Sequence, residues 1–410
     1  MRSASGIFAL LLGLGVVAPA VAAESGRGGA ATGQYRNLFH ELLGKSEAEV
    51  TAKIDATWRQ YSQGDEQTQR LFYPVADDLA YVPDIANHDV RTEGMSYGMM
   101  ICVQLDRRQE FDRIWKWART RLYNQSGPMR GFFAWHADFA GHALDPGPAS
   151  DGEEWFVTAL FFAAHRWGRG DGIFDYEAEA QALLRTMLHK SEEADRGDYT
   201  DMFDRESAQV VFVPHGEGAG FTDPSYQLPA FYELWARWAA APADRAFCSR
   251  AANVSRAFFK KAAHPVTGLM PDYANFDGTP RVRRGHEDFR YDAWRALSNP
   301  ALDHAWFGSD PWVVGQSNRV LKFLAAQGPA CPNQFRLDGT PLTTGTSSGL
   351  FAMAATAGLA ADADVARPFV DRLWNLPIPE GQYRYYDGLL YLIALLEVGG
   401  RFQVIAPPAK

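Results

Sequence analysis

The chain has 410 residues, 47% of them hydrophobic and 22% charged. That is the balance of a soluble globular protein, and the length suits two or three domains or one large helical barrel. A formal net charge of −9 argues against a nucleic-acid or anionic-membrane partner, while 12 Trp, 16 Tyr and 26 Phe suit a neutral ligand with flat apolar faces, of which sugars are the commonest.

Met1-Arg2 supplies a small positive region, and Ile7 to Val17 is an apolar run without charge. Ala20-Val21-Ala22 and Val21-Ala22-Ala23 are small-residue cleavage positions. The pattern is that of a secretory signal peptide over residues 1–23, too short to span a membrane comfortably. It predicts a periplasmic or extracellular destination. A Gly-rich leader is expected over 24–34, then a single domain over 35–410.

Tyr35 to Leu43 predicts a short helix. Ser46-Glu47-Ala48-Glu49 is a capping box and opens an amphipathic helix to about Tyr61. Residues 64–87 read as a polar, irregular loop, long enough to be functional or covered. An apolar helix then runs from Glu93 to Leu105, and an amphipathic one from Arg108 to Tyr123. Residues 129–148 form a loop with Phe132-Phe133-Ala134-Trp135-His136, whose Trp135 is either a sugar platform or core.

Further on, apolar helices are expected near 157–165, 226–239, 349–361 and 385–399, with another opened by 288–295. Amphipathic ones are expected near 176–190, 245–263, 311–326 and 365–375. Helices apolar on every side are buried on every side. Alternation of the two kinds over about a dozen helices, with few strands, predicts an all-α fold of two concentric rings. A helical solenoid is the alternative, but no short repeat is present.

Acids and aromatics recur where the apolar helices begin. Glu93 opens one. Asp151, Glu153 and Glu154 open a second, Asp288 and Asp292 a third, and Tyr385, Tyr386 and Asp387 a fourth. If the inner helices run the same way, these starts meet in one cavity. Each residue also has a plainer reading: Glu93 as a first-turn helix-dipole residue, Asp151 as a cap, Asp292 as the ion-pair partner of Arg295. Two carboxylates across an aromatic cleft suit glycosidic bond cleavage, one protonating the leaving oxygen and the other activating water or attacking carbon. A carboxyl at the apolar edge of a helix, as Glu93 would be, is held protonated toward neutral pH.

Gly345-Thr346-Ser347-Ser348-Gly349 fits a nucleophile elbow, but polar residues and Pro341 precede it and no histidine follows it, so it reads as a flexible loop. The ten histidines are scattered with no metal-ligand spacing, and no cofactor or metal is expected. Of the three cysteines, Cys102 reads as a buried thiol. A bridge between Cys248 and Cys331 is open but nothing in the pattern requires it.

At Thr92-Glu93-Gly94-Met95-Ser96-Tyr97-Gly98-Met99 the chain resembles glycoside hydrolase family 8, and within it the reducing-end xylose-releasing exo-oligoxylanases. The likeness runs from Tyr35-Arg36-Asn37-Leu38-Phe39 to Arg384-Tyr385-Tyr386-Asp387. It takes in Phe133-Ala134-Trp135, Asp151-Gly152-Glu153-Glu154, Ser225-Tyr226, Phe231-Tyr232-Glu233 and the stretch Asp272 to Pro280. The resemblance implies an (α/α)6 barrel and an inverting mechanism, with Glu93 as general acid and Asp292 as general base. It implies that Asp151 holds the sugar, that Arg295 orients the base, that Trp135 is an aromatic platform, and that Tyr385 and Tyr386 line the site. The implied substrate is a β-1,4-xylo-oligosaccharide, cut by a monomer to release xylose from the reducing end.

One stretch departs from the exo-enzymes. They carry a histidine in the loop before a late inner helix, and here Asp338 to Gly349 has none. Endo action on xylan, β-glucan or cellulose is therefore the alternative. A noncatalytic carbohydrate-binding barrel and a cell-envelope structural protein are the readings outside enzymes.

Overall fold

The structure, a computed structural model, describes Met1 and residues 28–408. The expected signal peptide lies outside these residues, Met1 aside. Fourteen helices are present among them. Two short ones lead: α1, Gly29–Thr32, and α2, Leu38–Leu43. Then come α3 (Glu47–Gln63), α4 (Thr92–Gln104), α5 (Arg108–Arg121), α6 (Ser150–Trp167) and α7 (Tyr176–His189). The rest are α8 (Pro229–Trp238), α9 (Pro242–Ala262), α10 (Arg295–Phe307), α11 (Trp312–Ala326), α12 (Ser348–Ala357), α13 (Ala363–Asn375) and α14 (Arg384–Val398).

The apolar helices pack in a closed circle. α4 contacts α6, then α8, α10, α12 and α14 follow in turn, and α14 returns to α4. These six form the inner ring. On α4 every residue from Gly94 to Gln104 is buried, and on α6 every residue from Ser150 to Ala163. The outer helices bury one stripe each. Phe111, Ile114, Trp115 and Ala118 on α5, and Ala366, Phe369, Val370 and Leu373 on α13, repeat at three and four residues, which is one helix face. α5, α7, α9, α11, α13 and α3 lie against the six inner helices in the same order. The fold is an (α/α)6 barrel. Each fully buried Leu or Phe in it contributes about 1.5–3 kcal/mol.

Local sequence starts and stops these helices. The capping box predicted at Ser46 is formed, with Ser46 Oγ accepting from the Glu49 backbone N–H and Glu49 accepting from the Ser46 N–H. Gly308 ends α10 in the left-handed conformation at φ 62°, which glycine adopts without a Cβ penalty. Most connections from inner to outer helices are short, such as 105–107 and 239–241, whereas those from outer to inner are long at 64–91, 122–149, 190–228, 263–294 and 327–347, with 376–383 shorter. All the long ones gather at the rim where the inner helices begin.

Those connections hold more strand than the sequence suggested. β1 (Tyr73–Ala76) pairs with β2 (Leu79–Tyr81), inside the stretch read as irregular. Then β3 (Pro83–Asp84), β4 (Asp89–Arg91), β5 (His136–Ala137) and β6 (Ala143–Asp145) form one antiparallel sheet in that order. Residues 28–32, assigned to the leader from sequence, pack on the barrel: α1 contacts α10, and a Cβ on Gly28 would lie 2.3 Å from the Trp306 backbone. Cys102, Cys248 and Cys331 are all buried free thiols, so the Cys248–Cys331 bridge is not formed.

Candidate active site

β4 runs straight into α4, so its pairing with β5 sets where Glu93 stands. The Thr92 N–H donates to the Trp135 carbonyl at 2.9 Å, tying the start of α4 to the residue before β5. Trp135 thus sits beside Glu93, half-buried, with the Arg91 guanidinium 5.6 Å from its ring centre. Glu93 is held by two donors. Tyr385 Oη donates to Oε1 at 3.1 Å, and Arg295 donates to Oε2 at 2.9 Å. Gly94 makes the first contact sterically feasible, since a Cβ there would lie 2.4 Å from the Tyr385 ring. Burial pushes the Glu93 carboxyl up to about 7; Arg295 opposes the shift, and Asp151 and Asp292 add to it.

Arg295, the first residue of α10, is the hub. One guanidinium nitrogen donates to Glu93, to Asp151 Oδ2 at 3.0 Å and to Tyr97 Oη at 2.5 Å. The other forms an ion pair with Asp292 Oδ1 at 3.0 Å. Asp151 stands in the first turn of α6, buried, its Oδ1 accepting from the Gly152 N–H at 2.9 Å. Burial raises its pKa and Arg295 counters. Asp292 lies in the 3-10 turn Tyr291–Trp294 before α10, about one-third exposed, and Tyr386 Oη approaches its Oδ1 at 3.4 Å.

Six of the seven residues singled out from sequence thus touch one another: Glu93, Asp151, Asp292, Arg295, Tyr385 and Tyr386. Trp135 adjoins them through the Thr92 backbone. Glu93 and Asp292 are bridged by one guanidinium, so their bridged oxygens are no farther apart than a guanidinium's width plus two contacts. That is inside the upper end of the roughly 6.5–9.5 Å over which two carboxyls admit a sugar ring and a water. One carboxyl near 7 can give a proton, and the other, open to solvent, can take one from water.

Other acids expected at the rim are not in this cluster. Glu153 and Glu154 point into the barrel wall. Glu153 accepts from the Phe133 N–H at 3.0 Å and Glu154 from Tyr232 Oη at 2.5 Å; burial pushes both far above the carboxylate range. Asp387 accepts from Ser347 Oγ at 2.6 Å and from the Gly349 N–H at 3.0 Å. Asp288 pairs with Arg290 at 3.5 Å. Ser347, the would-be nucleophile, is the N-cap of α12, accepting from the Gly349 and Leu350 N–H groups, with no strand before it. Its hydroxyl is committed, and Thr346 is left exposed in the histidine-free loop.

Sequence reasoning assigned no role to three neighbours. Tyr97 lies one turn after Glu93 on the same face, and helical spacing alone points to it. Asp223 and Asp272 lie on loops before α8 and α10, and one oxygen of each lies within 4.8 Å of the other and of one oxygen of Asp292. Arg295 brings positive charge to this group, and His286 Nδ1 lies 2.5 Å from Asp272 Oδ2. No local pattern brings these three acids together.

A closed double ring of helices whose rim gathers one carboxyl raised to about 7 and a second, part-exposed one about a single guanidinium is an arrangement suited to glycoside hydrolysis. Comparison with known proteins narrows the class: the model of glycosyl hydrolases family 8 matches residues 80–400, and the chain belongs to that family. It is 44% identical over 385 residues to the reducing-end xylose-releasing exo-oligoxylanase Rex8A of Paenibacillus barcinonensis, covering 93% of this chain and 99% of that one. The structure of Rex8A complexed with xylose superimposes with a TM-score of 0.89 at 43% identity, over 93% of this chain and 100% of that one. A xylohexaose complex of a catalytic mutant of a family 8 xylanase from Teredinibacter turnerae gives the same TM-score at 47% identity, over 93% and 100%.

Proposed function

We propose that this enzyme cleaves β-1,4-xylo-oligosaccharides with inversion and releases xylose from the reducing end. Arg295 carries the reading, because it gathers Glu93, Asp151 and Asp292 about one point at the rim. The relatives from Paenibacillus barcinonensis and Halalkalibacterium halodurans, 44% and 43% identical, support the substrate.

Glu93, in its protonated form, which prevails below about pH 7, gives its proton to the glycosidic oxygen as the bond to the anomeric carbon breaks. A water attacks that carbon from the opposite face and loses a proton to Asp292. The leaving xylose keeps the proton from Glu93, and the new hemiacetal keeps the water oxygen, as the α anomer. Arg295 and Tyr385 then hold the Glu93 carboxylate until it is reprotonated. Asp151 accepts hydroxyl hydrogens of the sugar at the cleavage point, and Trp135 offers its ring as a platform.

A second reading is endo-cleavage of xylan. The histidine-free loop favours it, with Thr346 as the exposed hydroxyl at its end. Xylotetraose labelled at its reducing end separates the two. Labelled xylose as the first product supports exo action; labelled xylobiose or longer establishes endo action. NMR of that first product is expected to show the α anomer, and a β product would remove Asp292 from its role. We further propose that the enzyme is exported, with residues 1–23 removed, and works as a monomer. N-terminal sequencing of the exported protein checks the first point and light scattering the second. Among the described residues no helix is long and apolar enough to cross a membrane.

A further inference from the structure

Three carboxyls within 4.8 Å of one another cannot all be ionised in a largely buried place, because each charge raises the cost of the next. The hydrogen bonds tell them apart. Asp272 is buried, yet both of its oxygens have partners: His286 Nδ1 lies 2.5 Å from Oδ2, and the Ala293 N–H donates to Oδ1 at 3.1 Å. Asp292 is about one-third exposed and paired with Arg295. Asp223 is wholly buried. Its Oδ1 accepts from the Ser225 N–H at 2.7 Å, and its Oδ2 meets no donor. A bare carboxylate oxygen in that position is costly, whereas a carboxylic acid there carries the one hydrogen the cluster lacks.

We propose that Asp223 stays a neutral acid through turnover and donates from Oδ2 into the Asp272–Asp292 pair, keeping Asp292 oriented toward the attacking water. Asp223 is then a positioning residue. The proposal rests on the reading of Asp292 as the base. The groups facing Asp223 are Asp272, Asp292, Arg295, Tyr226 and Tyr273. Burial and the two neighbouring aspartates drive its pKa well up against the pull of Arg295 and the Ser225 N–H. The Asp-Pro-Ser-Tyr turn explains its aim. The N–H of Ser225 holds one oxygen, Asn299 Nδ2 holds the Ser225 carbonyl at 2.7 Å, and the other carboxyl oxygen is buried without a hydrogen-bond partner beside Asp272 and Asp292.

The test compares an isosteric neutral side chain with none. Asp223→Asn is expected to keep kcat on xylotetraose within about threefold and to leave both limbs of the pH profile of kcat/KM in place. Asp223→Ala is expected to lower kcat roughly 10²-fold with little change in KM, and to move the acid limb. An acid limb displaced to lower pH in Asp223→Asn would show that a negative charge had been removed, and would overturn the proposal. A second measurement needs no functional variant. In the wild-type chain labelled with 13C at aspartate carboxyls, one resonance is expected to stay at the protonated position near neutrality and to vanish in Asp223→Asn. Its absence from the wild type, or its survival in the variant, overturns the proposal as well. Asp292→Asn separates the two ideas: an active Asp292→Asn refutes the base assignment, whereas a displaced limb in Asp223→Asn with an inactive Asp292→Asn refutes only the role of Asp223.

Discussion

At Glu93 two opposing effects meet, and their balance sets the chemistry. Burial holds the carboxyl protonated, while Arg295 at 2.9 Å favours the anion. Burial wins, leaving the group at about 7 rather than in the usual carboxylate range. A general acid works only while it holds its proton, so kcat/KM is expected to fall as pH rises through about 7. Glu93→Gln removes the transferable proton but keeps the shape. It is expected to lose about 10²–10⁴-fold in kcat with an unchanged circular dichroism spectrum. An alkaline limb unmoved by that change would show that another group supplies the proton.

Among the elements, the pairing of α4 with α6 carries the greatest constraint. Gly152 lets the two helices approach beside Thr92, where a Cβ would lie 2.4 Å from Thr92 Oγ1 and 2.5 Å from its Cβ. The residues on either side of this contact are Glu93 and Asp151, so the helix spacing also sets the spacing of the carboxyls. Gly152→Ala is expected to force α6 outward. It should cost about 1–3 kcal/mol in stability by overpacking and lower kcat roughly 10²-fold by moving Asp151. Thermal unfolding and steady-state kinetics check the two parts separately, and a variant with normal values in both would show that the rim tolerates slack.

For the whole molecule, the ring closes by inner helices that carry buried polar links across it. Glu397 on α14 accepts from Ser298 Oγ on α10 at 2.7 Å, and burial pushes its carboxyl up to about 8. The folded state thus keeps a proton that the unfolded chain releases near the ordinary value of about 4.3. Between that value and 8 the unfolded chain binds fewer protons, so stability falls as pH rises. At about 1.36 kcal/mol per unit the upper bound on this loss is about 5 kcal/mol. Glu397→Gln has no proton to lose and is expected to flatten the fall in Tm between pH 5 and pH 8. A wild type and a variant with the same pH dependence would show that Glu397 contributes nothing to it.

Periodicity in the chain was enough for the alternation of apolar and striped helices, and hence for two rings. A helix buried on all sides must be apolar on all sides, which needs no knowledge of its neighbours. The motif around Glu93, and the acids and tyrosines at the helix starts, were legible for the same reason: each begins an inner helix, and inner helices begin together. Direction and company were not legible. Asp151, Glu153 and Glu154 read alike in sequence, yet successive helix positions face different ways, so Asp151 meets Arg295 while its neighbours meet Phe133 and Tyr232. Ser347 lies in a stretch that read as a flexible loop, yet it caps a helix, because its hydroxyl lies over the first free N–H groups of α12. Asp223 comes from the connection before α8, whereas Asp272 and Asp292 lie twenty positions apart on the one before α10, and only the closing of the ring brings an oxygen of each within reach of the others. A sequence can say which side chains must leave water; the three-dimensional path of the loops settles which of the remaining polar groups then face each other.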